Sequence, residues 1–317
     1  MKFRSAGRWG LELSVIGMGS WPASTDDEST AESLLCHAYD LGVRYFDTAN
    51  FYLNGEREVT VGRALASYPR ESYVLATKVS FPIGAPPNNQ GLSRKHIIEQ
   101  CDASLRRLGT DHIDLYQCHR FEPQTPLEET CRSMDDLITS GKILYWGVTS
   151  WPAAGIKAAV DLCARRDWSL PISDQEQYSA LWREAEVEVI PACVEAGMAV
   201  VAWSPLAMGV LAGRYTSLAE IPQGSRATKP DAKWMTGFLR EEVIETVRQA
   251  ESLAREAGIS PAQLALAWCL AQPGLASVVV GASSASQLDD SVGAADLDLD
   301  TDLLDAFDEL TGAVQAR

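Results

Sequence analysis

The chain has 317 residues, 46% of them apolar and 22% charged, which is the composition of a folded globular protein and excludes a disordered, collagen-like or disulfide-scaffold chain. Lys and Arg total 27 against 43 Asp and Glu, so the formal charge is −16. That balance argues against nucleic acid, which needs a basic face, and against an anionic membrane surface, but leaves room for a small anionic ligand on a local basic patch.

The first residues, Met1–Leu13, carry Gly7 and Gly10 between short alternating runs and predict a small hairpin able to close the bottom of a barrel. Thereafter β-branched or aromatic runs alternate with helical patterns. The runs are Val15–Met18, Arg44–Asp47, Tyr73–Ala76, Ile113–Gln117, Ile143–Val148, Ile172–Asp174, Ala199–Trp203 and Val278–Val280. Between them stand helix-start signals. Thr25-Asp-Asp-Glu28 reads as a capping box before an apolar stripe at Leu34, Leu35, Ala38 and Leu41. Ser93 reads as the cap of a helix with Ile97, Ile98, Cys101, Leu105 and Leu108 on its inner face. Thr125-Pro-Leu-Glu128 and Ser260-Pro-Ala-Gln263 both place Pro at the first helical position.

Strand then helix, eight times over, predicts a (β/α)8 TIM barrel in a single domain spanning 1–317. An open doubly wound sheet is the alternative, and it lacks the Gly-x-Gly-x-x-Gly that should follow its first strand. The interval between the seventh and eighth strands is far longer than the others, which predicts a long loop insertion after Trp203, roughly 204–240. The seven cysteines are scattered and form no Cys-x-x-Cys pair, so reduced thiols in a cytoplasmic setting are expected. Met1–Gly10 has no signal-peptide core, and the longest apolar stretch, Met198–Gly213, is too short to span a bilayer and is interrupted by Ser204-Pro205.

Active sites of such barrels form at the C-terminal ends of the strands. There the sequence puts Asp47 on the second strand, Lys78 after the third and His119 after the fourth, with Tyr52 on the loop between. An ammonium about 4 Å from a phenol favours the phenolate by roughly 4 kcal/mol at an effective dielectric of about 20, or about 3 pKa units. Lys78 is therefore expected to bring Tyr52 towards neutrality as a proton donor. Asp47 would hold Lys78 charged, and His119 would donate to a substrate carbonyl oxygen. No metal is required, and the four His show no ligand spacing.

The chain resembles the aldo-keto reductases, closest to the potassium-channel β-subunit branch and its bacterial relatives. The resemblance runs through Phe46-Asp-Thr-Ala49, the segment 91–99, the segment 125–130, Tyr145-Trp-Gly147, Trp203-Ser-Pro-Leu206, the segment 263–270 and Gly281-Ala-Ser283. It implies NADPH-dependent reduction of aldehydes or ketones, with Asp47, Tyr52, Lys78 and His119 as the catalytic four and Tyr52 as general acid. It also implies cofactor positions at Thr149, Ser150, Gln175, Tyr178, Trp203, Ser204, Pro205, Leu206, Arg214, Ser225, Arg226, Gly281, Ser283, Gln287 and Asp290. Trp21, Phe51 and Phe81, after the first three strands, are expected to line the substrate pocket. Ser150, Gln287 and Ser291 depart from the family pattern and leave NADH as an alternative cofactor. The channel-subunit branch also implies a second reading, a cofactor-binding regulatory or redox-sensing subunit with slow turnover, and it allows a homo-oligomer. Within the −16 chain, Pro205–Arg240 carries five Lys or Arg against Glu220 and Asp231, a net +3, and is expected to strap over the cofactor phosphates. The acidic stretch Gln287–Glu309 is expected to be a solvated face.

Overall fold

The computed structural model describes residues 1–21 and 27–316. Short strands with two buried faces need neighbours on both sides, and here they close on one another. β3 (Ile16–Gly19), β4 (Tyr45–Asp47), β5 (Val74–Val79), β6 (Ile113–Cys118), β7 (Ile143–Thr149), β8 (Ser173–Gln177), β9 (Ala199–Trp203) and β10 (Leu275–Val280) form a closed parallel barrel in that order. The helices α1 (Glu28–Asp40), α2 (Glu56–Leu65), α3 (Arg94–Leu108), α4 (Leu127–Thr139), α5 (Ala153–Arg166), α6 (Val189–Ala196), α7 (Glu241–Glu256), α8 (Pro261–Ala271), α9 (Ala285–Gly293) and α10 (Thr301–Gly312) surround it. This is the (β/α)8 barrel that the alternation predicts. None of these helices is long and apolar enough to cross a membrane.

The hairpin of β1 (Phe3–Ser5) and β2 (Glu12–Ser14) lies across the barrel floor. Arg8 donates its N–H to the Gly197 carbonyl at 2.9 Å, while Ala6 and Leu13 pack on Tyr45, Val74, Leu115, Val201 and Val279 inside the barrel. Gly7 is left-handed (φ 66°), and a Cβ there would stand 2.1 Å from the Gly197 oxygen, so the chain can approach the floor this closely only without a side chain.

Two helix starts differ from the reading. Thr25 lies outside the described residues, and α1 is capped by Asp27, whose carboxylate accepts from Thr30 N–H at 2.7 Å. At α4 the Thr125 hydroxyl donates to Glu122 instead of capping, and Pro126 takes the cap position. A carboxylate is the stronger acceptor. Ser93 caps α3 as read, and Pro261 opens α8 as read, within a capping box of Ser260 and Gln263. β10 starts three residues earlier than its β-branched core suggests, because pairing with β9 recruits Leu275 and Ser277 despite a register irregularity between them. The long connection after β9 holds 3₁₀ turns at 207–209, 226–228 and 230–235 and then two helices, α7 and α8. The acidic C-terminal stretch is less idle than expected. Asp296 pairs with the N-terminal ammonium, Asp289 with His37, and Asp308 with Arg183 and the Trp268 indole.

Candidate active site

Residues two apart on a strand share a face. Climbing the inside of the barrel, Val74 and Ala76 are followed by Lys78, Leu115 by Gln117, and Tyr45 by Asp47. Register then sets Lys78 beside Gln117, and Asp47 opposite Ala76, one inward step before Lys78. Lys78 Nζ donates to Asp47 Oδ2 at 2.5 Å and to the Thr48 carbonyl at 2.8 Å, and the lysine side chain has no exposure. Asp47 Oδ1 accepts from the amides of Gln175 at 2.8 Å and Gln117 at 3.2 Å. Such a pair is tolerable in the interior because its remaining acceptors are met by fixed donors.

Tyr52 opens a tight turn, Tyr52–Gly55, in which Leu53 (φ 48°) and Asn54 (φ 55°) are both left-handed. Gly55 follows at φ 97°, and a Cβ there would meet Arg107 at 2.8 Å. Arg107 in turn bonds buried Glu58 of α2 at 2.7 Å, and Glu58 accepts from Thr77 beside Lys78 at 2.6 Å. The strained turn carrying Tyr52 is thus bolted to the strand carrying Lys78. The Tyr52 ring lies 5.5 Å from Lys78 Nζ and 6.1 Å from the His119 ring. Trp21 meets Tyr52 edge-on at 4.7 Å, Phe51 meets Phe81 at 4.5 Å, and Phe81 meets His119 at 4.8 Å. The three aromatic residues expected around a substrate therefore form one cluster over Tyr52 and His119.

The electrostatics differ from the expectation in one respect. Burial, followed by the charge of Asp47, raises the Tyr52 hydroxyl well above the usual phenol range, and the cations that oppose this are Arg120 and Arg226. Lys78, paired with Asp47, does not bring it towards neutrality. Burial pushes Lys78 downwards while Asp47 pulls it back. Burial, then Lys78 and Arg120, holds His119 well below the ordinary histidine range, so it is a neutral imidazole near pH 7. Its Nδ1 is buried with no hydrogen-bond partner among the described residues.

The opposite side of the mouth carries the residues expected to meet a dinucleotide. The hydroxyls of Thr149 and Ser225 are buried and have no hydrogen-bond partner among the described residues. Ser150 (φ 51°), Ser204 (φ 54°), Ala207 (φ 47°) and Met208 (φ 60°) all hold left-handed backbone, a costly arrangement. The Trp203 indole donates to Ser150 Oγ at 3.4 Å. Pro205 and Leu206 continue this segment, and the Pro205 carbonyl faces the Cys269 thiol. Arg214 is exposed, and the charge of Arg226 reaches Tyr52. Gly281 and Ser283 leave β10 for α9, where the Gln287 amide oxygen accepts from the Ser283 N–H and hydroxyl, both at 3.0 Å. Unmet buried hydroxyls beside a left-handed loop fit a bound dinucleotide.

Tyr178 faces away from the mouth, while Gln175 and Asp290 are engaged by other side chains. Tyr178 is fully buried against Trp268, with ring centroids 5.6 Å apart, and its hydroxyl donates to Glu186 at 2.6 Å, so it packs the outer layer instead of the mouth. Gln175 gives its amide N–H to Asp47. Asp290 accepts from the Ser260 hydroxyl at 2.9 Å, which ties α9 to the cap of α8.

The model of the aldo/keto reductase family matches residues 15–311. The chain belongs to the aldo/keto reductase family. Members of this family are typically NADPH-dependent oxidoreductases and generally bind NAD(P)H. Among curated relatives, a protein of Schizosaccharomyces pombe named for the voltage-gated potassium channel subunit beta is 37% identical, over 97% of this chain and 92% of its own length. A protein of the same naming from Arabidopsis thaliana is 38% identical over 94% of this chain and 92% of its own, and one from Oryza sativa subsp. japonica is 37% identical over the same shares. Within this aldo/keto reductase, sequence reading missed Gln117, Arg120, Asp174 and Glu176. Gln117 had a signal, since it lies two residues before His119 on the same strand face. Arg120 had only its adjacency to His119. Asp174 and Glu176 alternate with Gln175, and nothing local shows that burial would push Asp174 well up and Glu176 up to about 7.

Proposed function

We propose that the chain reduces aldehydes or ketones to alcohols with NADPH, with NADH as the alternative, and that Asp47, Tyr52, Lys78 and His119 do the work. The reading rests above all on the meeting of these four side chains at one barrel mouth under an aromatic cluster. A reduced nicotinamide, when bound, supplies the hydride. The chain supplies the rest. His119, neutral, donates a hydrogen bond to the carbonyl oxygen and orients it. Tyr52 stays protonated at neutral pH and gives its proton to that oxygen as negative charge develops there. Lys78 and the guanidinium groups of Arg120 and Arg226 stabilise the phenolate left behind. Asp47 holds Lys78 in place. Trp21, Phe51 and Phe81 exclude water from the carbonyl. Thr149, Ser150, Trp203, Ser204, Pro205, Leu206, Arg214, Ser225, Arg226, Gly281, Ser283 and Gln287 would hold the cofactor, with the basic segment after β9 against its phosphates.

Replacing Tyr52 with Phe tests this. NADPH-dependent reduction of 4-nitrobenzaldehyde should fall by about 10²- to 10⁴-fold with cofactor affinity retained. Turnover like that of the parent chain would remove Tyr52 from this role. A second reading is favoured by the naming of the relatives: a cofactor-loaded channel-associated subunit, cytoplasmic and oligomeric, with slow chemistry. Tight NADPH binding with negligible turnover across a panel of aldehydes would select it.

A further inference from the structure

Arg120 stands in an unusual position for a cation. It is half-buried at the end of β6, between the proton-donating side of the mouth and an acid pair on β8. Its Nη1 donates to the carbonyl of neighbouring His119 at 2.8 Å, and the guanidinium makes no ion pair with any described carboxylate. A guanidinium has five donors, so most of its capacity remains open. Its carbon lies 5.6 Å from the centre of the Phe81 ring, the same ring that meets His119 at 4.8 Å and Phe51 at 4.5 Å. Its positive charge is felt at Tyr52, Lys78 and His119.

The neighbouring acids offset this charge only in part. Asp174 is fully buried, and burial together with the charge of Glu176 favours its neutral form. Glu176 faces Arg120, the Ser150 hydroxyl, the Gln177 N–H, Glu184, Asp174 and the Cys193 thiol of α6, and burial leaves it partly protonated near pH 7. With Asp47 paired to Lys78, Arg120 has no carboxylate in ion-pair contact among the described residues.

We propose that Arg120 is an anchor for a carboxylate carried by the substrate, one aromatic ring away from the carbonyl held at His119. The guanidinium fork takes a carboxylate through two parallel hydrogen bonds. The Phe51–Phe81 surface takes the spacer between the two groups. Carboxylate-bearing aldehydes are then preferred over neutral ones of the same shape. Glu176 competes with the substrate for Arg120, so its neutral replacement strengthens the preference. The assignment rests on the carbonyl-reductase reading for its substrate class, but not for the anion site itself.

The test pairs 4-carboxybenzaldehyde with 4-nitrobenzaldehyde, which match in shape and differ in charge. The ratio of their kcat/KM values should fall by about 10- to 100-fold in Arg120→Gln, recover in part in Arg120→Lys, and rise in Glu176→Gln. Calorimetric binding of benzoate, without cofactor, should weaken to a similar degree in Arg120→Gln, with circular dichroism confirming that the variant is folded. Equal losses for both aldehydes, or a raised KM for NADPH with the ratio unchanged, would make Arg120 a cofactor or structural residue and overturn the proposal. So would unchanged benzoate affinity. If neither aldehyde is turned over by the parent chain, the reductase reading fails, and the calorimetry alone decides the anion site.

Discussion

The floor and the mouth of the barrel are successive layers of the same inward strand faces, and they are held by opposite physics. On the floor, Tyr45, Val74, Leu115, Val201 and Val279 pack on Ala6 and Leu13 of the hairpin. Above them on the inward strand faces come Asp47, Lys78, Gln117 and Gln175, joined by hydrogen bonds between 2.5 and 3.2 Å. The floor tolerates any apolar set of the right volume, because burial is non-directional. The mouth tolerates almost no change, because each buried polar atom depends on a particular partner. The fold therefore rests on volumes and the chemistry on positions, and the strand alternation keeps the two apart.

Lys78→Met is the sharpest way to break that contrast. It keeps the volume but leaves Asp47 buried with amide donors alone, and should cost about 3–5 kcal/mol in urea unfolding as well as nearly all turnover. A cost below about 1 kcal/mol would mean that the mouth is no more position-dependent than the floor. Leu115→Ala tests the other side. It should cost about 2–5 kcal/mol by the same measurement, while the kcat for 4-nitrobenzaldehyde changes far less than in Tyr52→Phe.

The smallest effect concerns pH. Glu176 is raised to about 7 by burial, against an unfolded value of 4.5. Between these values the folded chain holds a proton that the unfolded chain has lost. This group's contribution to stability is thus greatest below about pH 4.5 and declines as pH rises through 7, by roughly 1–3 kcal/mol. Arg120, Ser150 and the Gln177 N–H reduce the decline, while Glu184 deepens it. Glu176→Gln should flatten the thermal-unfolding profile between pH 5 and 7.5, and an unchanged slope would show that Glu176 titrates normally.

Much of this was legible along the chain. Strand alternation and the position of Asp47, Lys78 and His119 at strand ends need only local spacing, and the aromatic cluster of Trp21, Phe51 and Phe81 follows from their places just past three successive strands. The direction of the Tyr52 shift was not legible. It depends on how far Asp47 neutralises Lys78 and on two arginines, Arg120 and Arg226, that are distant in sequence. Tyr178 was misplaced because a residue one step beyond a strand can turn inwards or outwards, and the decision came from Trp268 on α8.

The amino-acid sequence by itself determined the barrel, its hairpin floor, the long connection after β9 and the identity of the groups at the strand ends, because period and capping are encoded within a few residues of each element. The tertiary structure decided which of those groups carry charge. Burial and the distance to a counter-charge set ionisation, and both are sums over residues from every part of the chain. The formal −16 is the plainest case. Summed along the chain it describes an acidic protein, yet at the mouth Asp47 is paired with Lys78, Asp174 is buried, and Arg120 makes no ion pair with a described carboxylate.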